Sequence, residues 1–316
     1  MAWATRVPHV DQRHEWFREG ARAFRAAQRL LGREHFLPSD EDLYACPLCL
    51  KYIFRIGAIE TGDLTREHAP PESLGGKKLA LTCRWCNNDS GKHFDAEAQK
   101  QERLRLFFAG ESDQAMRGTF TIGGVTNRGE IHLAGTTGML LVGVPQINNP
   151  AEVDRLERAM SATASAGSDF RINVTPNVRF SPDRARVSWV RSAYVVAFAV
   201  FGWRYTLQTS LNPVRAQFRN PTNVTLPEIS LYEPEADPSR RELMVVEEPA
   251  DCQSVVVRVG RHSVFLPGID STRSLADLAE ALHSYNQPGG PARFSMSGTW
   301  VPWPAKPQYA LDPVNP

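Results

Sequence analysis

Cys46-Pro47-Leu48-Cys49 and Cys83-Arg84-Trp85-Cys86, two C-x-x-C pairs separated by 33 residues, decide the local fold of this 316-residue chain. Each pair bends the backbone into a tight knuckle that aims two thiols at one point. Two such knuckles complete a tetrahedral four-thiolate shell for Zn²⁺. The spacer is longer than that of a simple zinc ribbon, so the intervening chain must form structure whose ends the metal closes. A closed shell of Cys46, Cys49, Cys83 and Cys86 leaves no position for substrate, which makes the expected zinc structural. The fifth cysteine, Cys252, stands alone and reads as a strand thiol. Five cysteines in a chain of this length are too sparse for a secreted disulfide scaffold.

The spacer contains Leu64-Thr65-Arg66-Glu67-His68-Ala69-Pro70-Pro71-Glu72-Ser73-Leu74-Gly75-Gly76-Lys77, and the second pair continues into Asn87-Asn88-Asp89-Ser90-Gly91. Residues 64–68 and 79–82 suit short strands, and Pro70, Pro71, Gly75 and Gly76 force a loop between them. The four capping residue types at 87–90 open a helix that continues through 96–108. Acid-His, a proline two residues on, a Gly-Gly loop, then C-x-x-C-Asn and a helix occur here in one order. With these elements the segment 44–98 resembles the HNH endonuclease family, in its zinc-knuckle Cys₄ branch, with Glu-His in place of Asp-His. The resemblance implies a ββα fold gripping one catalytic metal. It implies His68 as general base, with Glu67 and Asn87 as ligands of a catalytic Mg²⁺ or Mn²⁺.

The residue types suit phosphodiester hydrolysis, which needs an activated water and charge neutralisation on phosphate. An imidazole accepts a proton near neutral pH. Glu67 and His68 are neighbours on a strand and point to opposite faces. Asn87 follows a zinc ligand directly, and its amide oxygen is a hard neutral donor. Lys78 stands where many family members carry a central Asn whose carbonyl orients the base. Gly91 stands where some carry a second His, so His93 does not match that position. Lys77 and Lys78 are candidate phosphate contacts.

The composition is that of a globular protein: 42% apolar and 22% charged residues, with a formal charge of +1. A nucleic-acid surface must then be a local basic patch. Such a patch is offered by residues 11–34, read as a helix. Phe17, Phe24 and Leu31 repeat every seven residues on one face, with Trp16, Ala23, Ala27 and Leu30 beside them. Arg18, Arg22, Arg25, Arg29 and Arg33 share the other face and are candidates to track a phosphate backbone. No apolar run approaches the ~18–20 residues of a membrane span. The first residues, Met-Ala-Trp-Ala-Thr-Arg-Val-Pro, lack an apolar signal core, so a cytoplasmic location without membrane contact is expected.

Beyond residue 110 the pattern changes to Gly-punctuated strands at 119–122, 130–133 and 139–144. A charged helix at 150–161, a strand at 170–174 and an apolar helix at 186–201 follow. A short helix ends near 219. Strands at 243–246, 254–259 and 263–266, a helix at 275–285 and a proline-rich extended tail from 286 complete the chain. The fold class expected is α+β in three parts: an N-terminal helix and linker (1–43), a zinc-closed nuclease module (44–110) and a larger α+β domain (111–316) that selects substrate or regulates. The aromatic group Trp189, Tyr194, Phe198, Phe201 and Trp203 reads as helical core, with Arg184, Arg186, Arg191, Arg215 and Arg219 as its charged rim. His132 and His262 read as structural. The function expected is a metal-dependent endonuclease, with DNA as the substrate that the resemblance implies. The alternative is a non-catalytic zinc-knuckle nucleic-acid-binding protein. The sequence leaves the oligomeric state open.

Overall fold

The computed structural model of the chain describes residues 11–33, 38, 41–134, 138–143, 148–165, 171–285 and 295–309. It is a mixed α+β structure, with six α-helices and several small antiparallel sheets among these residues. The chain divides into two compact units, Met1–Ala98 with Asp183–Pro316, and Gln99–Pro182. This differs from the expected boundary near residue 110. Residues 183–316 belong with the cysteine knuckles, and 99–182 form the separate body.

In the first unit, helix α1 (Gln12–Leu30) starts at Asp11, whose carboxylate accepts from the Arg13 amide at 3.0 Å. Trp16, Phe17, Phe24 and Ala27 are buried, as the seven-residue repeat requires. Leu30 and Leu31 are instead exposed, at 66% and 45%, because the helix ends at Leu30 and Gly32 turns the chain away at φ 66°. Strands β1 (Tyr44–Ala45) and β2 (Ile53–Phe54) form the hairpin of the first knuckle. Strands β3 (Leu64–Ala69) and β4 (Lys77–Cys83) form a second antiparallel hairpin, with a register shift between Glu67 and His68. A wide π-helical turn, Trp85–Ser90, then leads into α2 (Gly91–Phe108).

The second unit is an antiparallel sheet of β5 (Met116–Ile122), β6 (Val125–Ala134), β7 (Gly138–Gly143) and β8 (Ile172–Pro176), in the order β7-β6-β5-β8, with helix α3 (Pro150–Ser165). Phe120, Ile122 and Leu156 form one buried cluster, and Phe107, Met116 and Ile131 another. Of the strand expected at 170–174, residue 170 lies outside the described residues.

The rest of the first unit is built on α4 (Pro182–Thr206), whose residues 187–203 are buried. Gly202 breaks its helical course at φ 69°, ψ −151°. Trp189, Tyr194, Phe198, Phe201 and Trp203 are buried core, and large side chains of this kind stabilise by about 1.5–3 kcal/mol each. Helix α5 (Asn212–Arg219) follows. A five-stranded antiparallel sheet then forms from β9 (Ser230–Tyr232), β10 (Glu242–Glu248), β11 (Ser254–Val259), β12 (His262–Pro267) and β13 (Ser297–Pro302), in the order β13-β10-β11-β12-β9. Helix α6 (Leu275–Tyr285) lies between β12 and β13 in sequence. The edge strands β9 and β13 carry no strong sequence signal: the first has three residues and the second lies in the proline-rich tail. Residues 286–294 and 310–316 of that tail, like the first ten residues, lie outside the described residues. His262 is buried and stacks on Trp189 with ring centroids 4.3 Å apart. Cys252 is buried in a short 3₁₀ turn and not in a strand. Among the described residues no helix is long and apolar enough to cross a membrane.

Candidate functional site

The four knuckle cysteines are brought together. All are buried, and the Sγ atoms of Cys46, Cys49, Cys83 and Cys86 lie within 4.8 Å of one another. A tetrahedron of Zn–S bonds of ~2.3 Å has edges of about 3.8 Å, and Cys49 Sγ lies 4.0 Å from Cys83 Sγ. Backbone amides point at the sulfurs: Cys83 N donates to Cys46 Sγ at 3.3 Å, Cys86 N to Cys83 Sγ at 3.4 Å and Lys51 N to Cys49 Sγ at 3.5 Å. Four thiolates this close would repel one another unless a cation compensated them. The donor set, spacing and burial fit Zn²⁺. Among the described residues, no other group of three or more His, Cys, Asp or Glu side chains comes together in this way.

The knuckles are held from α4 and α5. Tyr194 Oη donates to Pro47 O at 3.0 Å, Arg219 Nη1 to Cys49 O at 2.9 Å and Arg191 Nη2 to Cys86 O at 2.8 Å. Three knuckle carbonyls therefore receive donors from residues 191–219, which explains why these helices fold with the knuckles. Arg191 and Arg215 are each only 3% exposed. They are buried polar ties, not the charged rim expected of them. Arg215 donates to the carbonyls of Thr206, the last residue of α4, and of Gln208 just beyond it.

His68 sits near the end of β3, opposite Lys78 on β4. Its side chain is 20% exposed, and its Nε2 lies 3.9 Å from Glu72 Oε1, beyond hydrogen-bond distance. Burial lowers its pKa below the usual 6.5. Glu72 opposes that shift, and Lys78 and Arg66 reinforce it. The imidazole is therefore neutral at pH 7. Lys77 and Lys78 are exposed and Arg66 half-buried, so the strand ends around His68 carry a basic rim. The Gly-Gly loop is tightly closed: a Cβ on Gly76 would fall 1.5 Å from Pro70 O. Arg241 Nη2 ties this loop by donating to Gly75 O at 2.6 Å.

Asn87 packs against β3. Its Nδ2 donates to Thr65 Oγ1 at 2.7 Å and to Arg66 O at 3.1 Å, which fixes the amide beside the residues that precede Glu67 and His68. Glu67 turns inward and is 2% exposed. Its Oε1 lies 2.7 Å from Arg191 Nη2, and its Oε2 accepts from Thr82 Oγ1 at 3.0 Å. Burial pushes its carboxyl up to about 7, against the opposing pull of Arg191. Asp95 completes the cluster, accepting from Arg191 Nη1 at 3.1 Å and Ser188 Oγ at 2.7 Å.

The expected Mg²⁺ or Mn²⁺ pair of Glu67 and Asn87 is not a fitting donor set as it stands. Asn87 is fixed through its amide nitrogen, but both carboxylate oxygens of Glu67 are engaged and the group is closed off from solvent. Sequence reasoning placed Arg191 on a charged rim and did not bring it, Asp95 or Thr82 together with Glu67. The available signal was a guanidinium in the middle of an apolar helix, where a charge persists only when paired.

The arginine stripe of α1 is mostly solvent-facing. Arg18, Arg22, Arg29 and Arg33 are exposed. Arg25 is half-buried, and its Nη2 donates to Pro38 O at 2.7 Å and to Glu41 O. It ties the helix to the linker, so it is not an open phosphate contact. Glu15 and Glu19 are engaged by Lys306 at 2.9 and 3.3 Å. In comparisons with known family models, curated proteins and solved structures, nothing matches this chain.

Proposed function

We propose that the chain is a nucleic-acid phosphodiester hydrolase of the HNH type, acting on DNA. The hairpin β3–β4 and helix α2 are its ββα element, and His68 is the general base. The observation that carries this reading is a partly exposed imidazole on a knuckle-anchored hairpin, its pKa lowered by burial, with the cationic Lys78 and Arg66 beside it. In the reaction His68 takes the proton of a water as its oxygen attacks phosphorus. The bond to the 3′ oxygen breaks, that oxygen takes up a proton from solvent as it leaves, and the neighbouring cations offset the charge on the phosphoryl oxygens. Zinc acts through structure: it fixes Cys86, and with it Asn87, against β3. Glu67 has no open carboxylate oxygen for a divalent ion, because Arg191 and Thr82 engage both.

That occupancy favours a second reading, a non-catalytic zinc-knuckle nucleic-acid-binding protein. Incubation of the zinc-loaded chain with plasmid DNA and with single-stranded RNA, in Mg²⁺, Mn²⁺ or EDTA, separates the two. Nicking or cleavage supports the hydrolase. Salt-dependent binding without cleavage under any condition supports the binding module.

A further inference from the structure

Glu67 Oε1 and Cys86 O converge on one nitrogen, Arg191 Nη2, at 2.7 and 2.8 Å, and Asp95 Oδ2 meets Nη1 of the same guanidinium at 3.1 Å. Two carboxylates and a carbonyl are hard oxygen donors of the kind that hold Mg²⁺ or Mn²⁺. Here they surround a fixed organic cation. Gly91 leaves the room for it: a Cβ there would lie 3.2 Å from Arg191 Nη1 and 3.1 Å from Asp95 Oδ2. The neighbouring Ser188 orients Asp95 from the same helix, one turn before Arg191. The guanidinium is thus built into the fold by α4, α2, β3 and the second knuckle together.

We propose that Arg191 is the internal cation of this site, standing where a divalent ion would bind, and that it makes Glu67 a positioning residue and not a metal ligand. Two of the three donors, Glu67 Oε1 and Cys86 O, lie 2.7 and 2.8 Å from Nη2, and octahedral Mg²⁺ needs about 2.0–2.1 Å. A contraction of roughly 0.6–0.8 Å at these two, with Asp95 moving in from its place on Nη1, would turn them into a metal site once the guanidinium is gone. Because Arg191 bridges Cys86 and Glu67, it joins the zinc knuckle to the strand residue directly before His68. The proposal deepens the hydrolase reading and rests on it for its catalytic meaning, but its test needs no substrate.

The test is Mn²⁺ binding to the zinc-loaded full chain, read from the electron paramagnetic resonance signal of free Mn²⁺. In the presence of Arg191, Glu67→Gln leaves Mn²⁺ affinity unchanged. Arg191→Met creates a Mn²⁺ site, and Glu67→Gln added to Arg191→Met weakens that new site by about 10–100-fold. A loss of about tenfold or more in Mn²⁺ affinity on Glu67→Gln alone would make Glu67 a metal ligand and overturn the proposal. So would a folded Arg191→Met chain that gains no Mn²⁺ site. If Arg191→Met does not fold, the Glu67→Gln measurement decides alone. Absence of cleavage by the wild-type chain counts against the hydrolase reading and leaves this result standing.

Discussion

Replacing Arg191 with Met removes the partner of Glu67 and the donor to Cys86 O while keeping an apolar stem of similar length. Removing one member of a buried ion pair costs about 3–5 kcal/mol when the other must stay charged. Glu67 can escape part of this by keeping its proton. Its folded pKa of about 7 already stands above the ordinary value of 4.5. The folded state therefore binds this proton more tightly than the unfolded chain. Stability contributed by the protonated form is lost as pH rises from about 4.5 to 7, some 3 kcal/mol at about 1.4 kcal/mol per unit, and no further above 7.

Without Arg191 the folded pKa rises again, and in the variant the loss continues above pH 7 at up to about 1.4 kcal/mol per unit. At pH 6 both proteins hold Glu67 largely protonated, and the variant then loses chiefly the bonds to Cys86 O and Asp95, about 1–3 kcal/mol. Urea unfolding of zinc-saturated protein at pH 6 and pH 8.5 measures both values. The expected result is destabilisation at both pH values that is larger by at least about 1 kcal/mol at pH 8.5. An equal loss at the two pH values, or a loss below about 0.5 kcal/mol at pH 8.5, would refute the buried pair as described.

Other perturbations have distinct outcomes. Cys46→Ser and Cys83→Ser each lose the zinc, and with it the fold of the knuckles, because metal-binding energy is folding energy in such elements; metal analysis and circular dichroism check this. Reversing the charges of Arg18, Arg22 and Arg29 weakens nucleic-acid binding and flattens its dependence on log salt by about 0.9 for each phosphate no longer neutralised, whereas Arg25→Glu disturbs the linker and lowers the Tm. Gly76→Ala drives a Cβ into Pro70 O and costs about 1–3 kcal/mol in thermal unfolding, with zinc content unchanged.

Local chemistry was readable from the sequence. Each C-x-x-C spacing sets two thiols of the four-cysteine cluster side by side, and the Pro-Pro and Gly-Gly punctuation sets a hairpin whose strands differ from expectation by at most two residues at either end. The amphipathic repeat located α1 but ran past its end to Leu31, because periodicity does not sense where the core stops. Partnership across long sequence separations left no periodic trace. Glu67 reads locally as an accessible strand carboxylate, and only the fold brings Arg191 to it. The same holds for Tyr194 and Arg219: their bonds to Pro47 O and Cys49 O make residues 183–316 part of the knuckle body. The change of pattern after residue 110 marks an inserted unit, not the start of a second half.

The central claim is that His68 removes the proton of the attacking water. Its most direct test is the rate of plasmid cleavage by zinc-loaded wild-type and His68→Ala chains across pH 5–8. The imidazole pKa lies below 6.5. The wild-type rate therefore rises with pH and levels off once the imidazole has lost its proton, and His68→Ala loses about 10²–10⁴ in rate with zinc content and DNA affinity retained. Full-rate cleavage by His68→Ala, with the same pH profile, would contradict that role.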